Sequence, residues 1–199
     1  MDRRAFFNDM ASRWDEIHPA DQQAAGVRRG LDLLGPLEDK TIADVGCGTG
    51  VLAGHILPEL GTGKLFAIDF AEEMVNRGKA RFPDQRVSWM ACDVLETRLA
   101  CGSVDVVLCY NTLPHFPEKE RVLREFARWL RGGGHVLVWH DVGRERIAEI
   151  HGHVGGAIGE DHLPPAKELG RLMQSCGLEV QVTEESPTSY VVLAGRTRG

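Results

Sequence analysis

Strand-like and helix-like apolar patterns alternate along this chain, and no other feature of the sequence constrains the fold as strongly. Predicted strands, short and apolar, lie at residues 41–46, 64–69, 87–91, 104–110 and 135–140. Predicted helices lie at residues 5–17, 20–34, 71–82, 117–131 and 164–176. Two final strands, predicted to form a hairpin, lie at residues 178–184 and 189–195. Because such alternation is typical of parallel sheets with helices on both faces, we predict a doubly wound α/β fold with one antiparallel strand.

Composition and charge narrow the classes of function. The chain has 199 residues, enough for one domain with a full core. Its net charge is −6 and its lysines and arginines form no block, which argues against a partner held mainly by phosphates, such as bulk DNA or RNA. No apolar run approaches the ~18–20 residues that span a bilayer, and the N-terminus lacks a signal-peptide core. The five cysteines form no CxxC pair, so we expect reduced thiols and a cytoplasmic protein.

The segment IADVGCGTGVL, residues 42–52, places an acid and three alternate glycines at the end of the first predicted strand. Gly46, Gly48 and Gly50 permit positive φ and let a ligand approach the backbone closely, at the edge where α/β sheets bind ligands. A phosphate would suit the start of the next helix, but Asp44 would repel it. The acid therefore favours a cation, such as the ammonium of an amino acid. Alternatively, Asp44 only accepts hydrogen bonds from the amides of the loop itself.

Two more acids end the second and third predicted strands. Asp69 is placed to accept both hydroxyls of a ribose, or alternatively to cap the following helix. Asp93 can accept from an adenine amino group while the amide of Val94 donates to a ring nitrogen, although a turn or cap is the alternative. Met74 is expected either against the adenine face or in the core. Together the three acids describe one ligand with a cationic amino-acid end, a ribose and an adenine, which is S-adenosylmethionine.

With these motifs, the sequence resembles the class I S-adenosylmethionine-dependent methyltransferases over roughly residues 5–140. Within them it is similar to the small-molecule branch that includes the ubiquinone/menaquinone C-methyltransferases, which have a type 11 methyltransferase domain. The opening FFNDMASRWDEIH, residues 6–18, looks like the FFD…A…YD segment of that branch. The resemblance implies a Rossmann-like, mostly parallel sheet of seven strands in the order 3-2-1-4-5-7-6, with strand 7 antiparallel. It also implies direct transfer of a methyl group to a small-molecule acceptor.

The resemblance further implies which residues form the site. Those expected to hold the methionine part of the cofactor are Asp44, Gly46, Gly48 and Gly50. Asp69 is expected at the ribose and Asp93 with Val94 at the adenine, while Asn111 would bring its backbone carbonyl or side chain to the ammonium. The single domain would then comprise a helical lid (1–35), a cofactor-binding core (40–140), an acceptor-side insert (141–163), and a terminal helix with the hairpin (164–199).

Two histidines are candidates for catalysis at the acceptor. The end of the fourth predicted strand, CYNTLPHF, lacks the Asn/Asp-Pro-Pro-Tyr/Phe pattern of enzymes that methylate exocyclic amines of bases or glutamine amides. His115 in this segment has a pKa range suited to a general base, although it would alternatively cap or pack under the helix at 117–131. His140 ends the fifth predicted strand, directly over the cofactor crevice.

Histidines are also concentrated near the predicted insert, at positions His135, His140, His151, His153 and His162. Together with Asp161 they could bind a metal through nitrogen and oxygen ligands, contact the acceptor without a metal, or simply be solvated. A His-x-His pair among glycines is not a tight ligand signature, and the resembled family usually needs no metal, so no metal is expected. The other half of the acceptor pocket is expected from the N-terminal segment, through Phe6, Phe7, Trp14 and His18. The alternative for that segment is a purely structural amphipathic helix.

Two other functions can be considered against the sequence. An NAD-dependent oxidoreductase would have the spacing G-x-G-x-x-G and no buried acid before the first glycine, whereas this chain has G-x-G-x-G after Asp44. A module that binds S-adenosylmethionine without catalysis is the second rival. The glycine spacing and Asp44 favour a methyltransferase over the oxidoreductase, and the intact glycine loop with all three acids favours it over the non-catalytic module.

Overall fold

A seven-stranded sheet forms the centre of the molecule in the computed structural model, which describes residues 2–198. The strands are β1 (Thr41–Val45), β2 (Lys64–Asp69), β3 (Val87–Ala91), β4 (Val104–Tyr110), β5 (Leu130–His140), β6 (Glu179–Ser186) and β7 (Ser189–Gly195). Their order is β3-β2-β1-β4-β5-β7-β6, and β7 runs antiparallel to both of its neighbours. The remaining pairings are parallel. The predicted fold class and strand order are therefore confirmed.

Eight α-helices accompany the sheet within residues 2–198. They are α1 (Arg3–Met10), α2 (Trp14–Ile17), α3 (Ala20–Asp32), α4 (Val51–Ile56), α5 (Glu72–Arg81), α6 (Lys119–Trp129), α7 (Arg144–Val154) and α8 (Ala166–Ser175). None of them is long and apolar enough to cross a membrane. Met1 and Gly199, the ends of the predicted domain, lie outside the described residues.

The helices bury the two faces of the sheet in separate apolar clusters. Phe126 and Trp129 of α6 pack with Leu169 of α8 on one face. On the other face, Val27 and Leu31 of α3 pack with apolar residues of the strands. Alternate strand residues feed the two clusters, as expected of a parallel sheet that is covered on both sides.

Close approach of α3 to the sheet depends on Gly26 and Gly30. A β-carbon at Gly30 would collide with the indole of Trp139, and the Trp139 Nε1–H donates to the Gly26 carbonyl oxygen at 3.2 Å. The N-terminal helices are thereby held against the edge of the sheet where β4 and β5 end.

Three elements differ from their predicted extents. The helix predicted at 5–17 is interrupted by a short 3₁₀ segment, Ala11–Arg13, between α1 and α2. The glycines at 132–134, predicted to end α6, instead belong to β5, because Leu130 is already extended and the backbone of Gly133 and Gly134 pairs with Arg196. Helix α7 was not predicted, since its sequence RERIAEIHGHV has a weak apolar stripe.

Candidate active site

A cavity of about 1130 Å³ opens at the carboxyl edge of the parallel strands. Its walls run from the glycine loop after β1 to the loop after β4, and α1, α2 and α7 cover it. A single drug-sized ligand occupies a pocket of roughly 300–1,000 Å³, so this cavity has room for two small ligands side by side. Nine of the eleven predicted site residues line it, namely Gly46, Gly48, Asp69, Met74, Asp93, Val94, Asn111, His115 and His140. Asp44 and Gly50 do not.

The three loop glycines share positive φ values but meet different surroundings. Their φ values are +74°, +52° and +88° for Gly46, Gly48 and Gly50. A β-carbon on Gly50 would lie 2.7 Å from the Trp89 ring, whereas one on Gly48 would have only the Trp14 Nε1 nearby, at 3.7 Å. Gly48 therefore borders open cavity space, while Gly50 is required by packing behind the loop.

Asp44 lies beneath this loop, almost completely buried. Its Oδ2 has no hydrogen-bond partner among the described residues. Burial, with a smaller contribution from the Asp69 charge, raises the pKa of Asp44 to about 8. The amides of Gly46 and Cys47 donate to the Ile68 carbonyl instead, so the loop does not satisfy the acid in the way that the alternative interpretation required.

Asp69 lies on the cavity wall and also organises the loop. Its two carboxylate oxygens accept from the amides of Gly48 and Ala71, both at 2.9 Å. Burial raises the pKa of Asp69 to about 6, although these amides oppose the shift. Ala71, not Asp69, occupies the N-cap position of α5, so the acid holds the turn before the helix and keeps a place on the wall.

At the predicted adenine end, Asp93 and Met74 make contacts within the protein and also line the cavity. Asp93 caps the 3₁₀ segment Val94–Glu96 by accepting from the Leu95 amide at 2.9 Å. Met74 is only 1% exposed and packs in a small apolar cluster with Phe7 and Ile158, while it also lines the cavity. Both residues thus have the structural role given as the alternative, and their contact with a ligand stays a prediction.

Asn111, at the end of β4, is held in a left-handed conformation with φ +52°. Its Nδ2 donates to the Asp141 carboxylate at 3.1 Å, and the Tyr110 hydroxyl donates to the same carboxylate at 3.0 Å. Because the side chain is engaged, the backbone carbonyl of Asn111 is the group that remains for a ligand.

His115 belongs to a buried polar cluster in the cavity wall. Its Nδ1 lies 2.8 Å from Asp161 Oδ2, and Arg3 Nε donates to Asp161 Oδ1 at 2.8 Å. The ring of His151 lies 5.0 Å from that of His115, and His151 Nδ1 lies 2.9 Å from the Asp161 carbonyl oxygen. Burial lowers the pKa of His115 below its ordinary value, and the bond to Asp161 opposes that shift.

His140 is buried next to this cluster without a polar partner for its Nε2 among residues 2–198. Its ring packs edge-to-face on Tyr190, with centroids 5.6 Å apart. Burial lowers the pKa of His140 to about 3, with smaller contributions from the nearby His115 and His151. The imidazole is therefore neutral at physiological pH, and His140 lines the cavity although its Nε2 is buried.

The remaining histidines of the predicted cluster do not converge on the cavity. His153 and His162 are exposed, and His153 Nδ1 contacts the Glu149 carbonyl oxygen at 2.6 Å within α7. His135 lies in the middle of β5, five residues before His140. Within the described part of the chain, no three His, Cys, Asp or Glu side chains are grouped so as to hold a metal ion.

The N-terminal segment closes the cavity through aromatic and polar contacts. All four predicted pocket residues, Phe6, Phe7, Trp14 and His18, line the cavity. Phe7 packs edge-to-face on His115, with ring centroids 5.0 Å apart, and the Thr49 hydroxyl donates to Asp15 at 2.5 Å. Arg3 and Thr49 were not predicted, because a lone arginine in an amphipathic helix and a threonine in a glycine loop have no distinguishing local pattern.

Sequence comparison relates the chain to methyltransferases. A family model described as a methyltransferase domain matches residues 42–134, which run from β1 into β5. A protein of Cupriavidus pinatubonensis, named ubiquinone biosynthesis O-methyltransferase, is 27% identical over 192 residues, covering 87% of this chain and 76% of that protein.

Two solved structures share the whole architecture. An S-adenosylmethionine-dependent methyltransferase of Aquifex aeolicus superposes with a TM-score of 0.76 at 22% identity, over 94% of this chain and 97% of that one. A methyltransferase of Haloferax volcanii, solved with the Trm112 methyltransferase activator, superposes with a TM-score of 0.84 at 19% identity, over 99% of both chains. At these identities the likeness concerns the fold alone.

Proposed function

This chain is a class I S-adenosylmethionine-dependent methyltransferase, and we propose that it methylates a small molecule bound in the His115 end of the cavity. The observation that carries the proposal is one continuous cavity, about 1130 Å³ in volume, that joins the glycine loop to His115. The net charge of −6, without a block of basic residues, supports a small acceptor over a nucleic acid. The five free cysteines support a cytoplasmic location as part of the same proposal.

The residues near the glycine loop fit S-adenosylmethionine. Asp44 has a buried carboxylate oxygen without a partner among residues 2–198, and Gly48 of the loop that follows borders open cavity space. Such an oxygen is costly unless a cation compensates it, which an amino-acid ammonium would do. The residues proposed to hold the cofactor are Asp44, Gly46, Gly48 and Asn111 at its methionine part, Asp69 at its ribose, and Met74, Asp93 and Val94 at its adenine, while Gly50 supports the loop from behind. When bound, the cofactor supplies an electrophilic methyl group on a sulfonium.

The acceptor end of the cavity is predominantly apolar. Its side chains come from the N-terminal helices, the loop after β4, α7 and the segment after α7, and include Phe6, Phe7, Phe116, Ile147 and Ile158. Such walls exclude water and hold an aromatic or aliphatic acceptor in line with the methyl group. Orientation of this kind can supply most of the rate of a displacement reaction through effective molarity.

Two histidines provide the polar chemistry at this end. We assign His115 as the general base, since it lines the cavity, is buried enough to stay neutral and is held by Asp161. His140, which also lines the cavity, would contact the acceptor beside His115. A base is needed only when the acceptor must lose a proton, so these residues favour a hydroxyl acceptor. The name of the Cupriavidus relative, an O-methyltransferase, points the same way.

A screen of acceptors tests the proposal. Purified protein with S-adenosylmethionine is incubated with panels of small phenols, aliphatic alcohols, amines and thiols, and S-adenosylhomocysteine release is measured. We expect release with hydroxylated molecules that carry an apolar ring or chain, and a large loss of that activity in His115→Ala. Activity on amines or thiols that survives His115→Ala would contradict the hydroxyl assignment. Release only with a protein or RNA substrate would contradict the small-molecule assignment.

A further inference from the structure

Two side chains of the cavity wall from distant parts of the chain, Arg3 and His115, meet at the carboxylate of Asp161. Arg3 belongs to α1, His115 to the 3₁₀ segment after β4, and Asp161 to the loop before α8. Arg3 contacts both carboxylate oxygens of Asp161, and His115 Nδ1 lies 2.8 Å from Oδ2. The Asp161 side chain is only 1% exposed, so these partners replace nearly all of the water that the carboxylate would otherwise have.

The charge state of Asp161 determines which nitrogen of His115 is protonated. Burial raises the pKa of Asp161, but the hydrogen bonds from His115 and Arg3 outweigh it and bring that pKa down to about 2. An ionised carboxylate can only accept hydrogen bonds, so the proton of neutral His115 must be on Nδ1. The lone pair of the ring is then on Nε2, which is the atom left to receive a proton from an acceptor.

The same residue also orients a second imidazole. The main-chain carbonyl of Asp161, which can only accept, lies 2.9 Å from His151 Nδ1. The ring of His151 packs against His115 on the side of α7. Asp161 therefore holds both rings, one through its carboxylate and one through its backbone.

We propose that Asp161 and Arg3 are positioning residues that make His115 Nε2 a base only when α1 is docked over the cavity. This inference rests on the proposed function. Because Arg3 belongs to the lid, docking of α1 places a guanidinium on Asp161 at the same time as Phe7 covers His115. Proton removal is then confined to the closed cavity, where water does not compete for the base.

These residues serve a methyl transfer in which the acceptor hydroxyl also loses its proton. The acceptor oxygen forms a bond to the methyl carbon while the carbon–sulfur bond breaks, and the electron pair of that bond stays on sulfur. The hydroxyl proton passes to His115 Nε2, and Asp161 stabilises the imidazolium through the bond to Nδ1. Asp161 itself keeps its negative charge throughout.

The surroundings of His115 set the directions of the expected changes. The charged and titratable groups of this region are Asp161 from the loop before α8, Arg3 from α1, His151 from α7, His140 from β5 and Lys119 from α6. Burial, His151 and Arg3 lower the pKa of His115, whereas Asp161 raises it. Removing the carboxylate of Asp161 should therefore lower that pKa, and removing the charge of Arg3 should raise it.

Nitrogen-resolved NMR of the histidine rings tests the tautomer and the pKa of His115 without any acceptor. In wild-type protein we expect the proton of neutral His115 on Nδ1. In Asp161→Asn we expect the pKa of His115 to fall and the single tautomer to be lost, whereas in Arg3→Gln the pKa should rise. A merely structural role for Asp161 predicts the opposite sign, because loosening of the site would expose the ring and raise its pKa. Glu160→Gln, which removes an exposed neighbouring charge that contacts neither ring, is the matched control.

Turnover of a hydroxyl acceptor then tests the coupling to catalysis. We expect kcat to fall roughly 10- to 100-fold in Asp161→Asn, with S-adenosylhomocysteine affinity unchanged, and Arg3→Lys to retain more activity than Arg3→Gln. Wild-type activity in Asp161→Asn, or a wild-type His115 protonated on Nε2, would overturn the inference; the second result does not depend on whether a variant folds. If no hydroxyl acceptor turns over but the NMR pattern appears, the proposed function fails while the positioning of His115 stands.

Discussion

The two glycines at the end of the loop motif should respond very differently to the same substitution. In Gly50→Ala, the new β-carbon would lie 2.7 Å from the Trp89 ring and 3.2 Å from the Phe82 ring, at a φ of +88°. In Gly48→Ala, the new β-carbon would have only Trp14 Nε1 nearby, at 3.7 Å, and a φ of +52°. The first change therefore adds a steric conflict to the backbone strain, and the second adds backbone strain alone.

The expected magnitudes follow from these distances. A left-handed conformation costs a residue with a β-carbon roughly 1–2 kcal/mol. Overpacking an occupied site costs roughly 1–3 kcal/mol more. Gly48→Ala should thus lower the free energy of unfolding by about 1–2 kcal/mol and Gly50→Ala by about 2–5 kcal/mol. For a chain of this length, each kcal/mol shifts Tm by about 2–4 °C.

Cofactor affinity should change in the opposite order. Gly48 borders the cavity, so its methyl group would occupy space that the cofactor needs, whereas Gly50 is not part of the cavity wall. Thermal unfolding followed by circular dichroism, together with calorimetry of S-adenosylhomocysteine binding, measures both effects. A larger loss of stability in Gly48→Ala, or a larger loss of affinity in Gly50→Ala, would refute this division of roles within the loop.

Three further outcomes are expected. First, the folded protein holds a proton on Asp44 (pKa about 8) that the unfolded chain releases near pH 4, so the contribution of Asp44 to stability falls as pH rises from about 4 to 8. Denaturant titrations at pH 5 and pH 8.5 should therefore show a fall of a few kcal/mol in the unfolding free energy of wild-type protein that is absent in Asp44→Asn. An equal fall in both proteins would contradict the raised pKa of Asp44. Second, Asp69→Ala should weaken S-adenosylhomocysteine binding by roughly 1–3 kcal/mol, the scale of lost charge-assisted hydrogen bonds, and unchanged affinity by calorimetry would mean that the ribose lies elsewhere. Third, chelator treatment of protein purified without a tag should leave methyl transfer unchanged, and loss of activity that added metal restores would contradict this expectation.

Much of the fold was accessible from the sequence because it rests on local patterns. The alternation of apolar strands and helices predicted every strand of the sheet, and the resemblance to class I methyltransferases, confirmed by comparison, implied the strand order. The exceptions are elements whose ends or existence depend on distant partners. Gly133 and Gly134 belong to a strand because Arg196 is there to pair with them, and α7 forms where Ile147 and His151 find a buried surface.

In the candidate site, too, some residues could be placed from the sequence and others could not. Asp69 could be placed because strand ends in a parallel sheet meet at one edge, whatever the details of packing, and Asn111 through the resemblance to class I methyltransferases. The alternatives for individual residues could not be separated locally, since Met74 has both a core position and a place on the cavity wall. The histidine-rich segment shows the limit most clearly, because His151 is buried against His115 while His153, two residues away, is exposed.

What the sequence by itself determined is the backbone of the cofactor site, because glycine spacing and strand ends are short-range properties of a chain. Only the tertiary structure decided which side chains of the cavity wall meet around Asp161. Arg3 and Asp161 are separated by 158 positions, and His115 and Asp161 by 46. No local pattern encodes a contact across such distances, since it depends on how α1 and the loop before α8 pack onto the finished sheet.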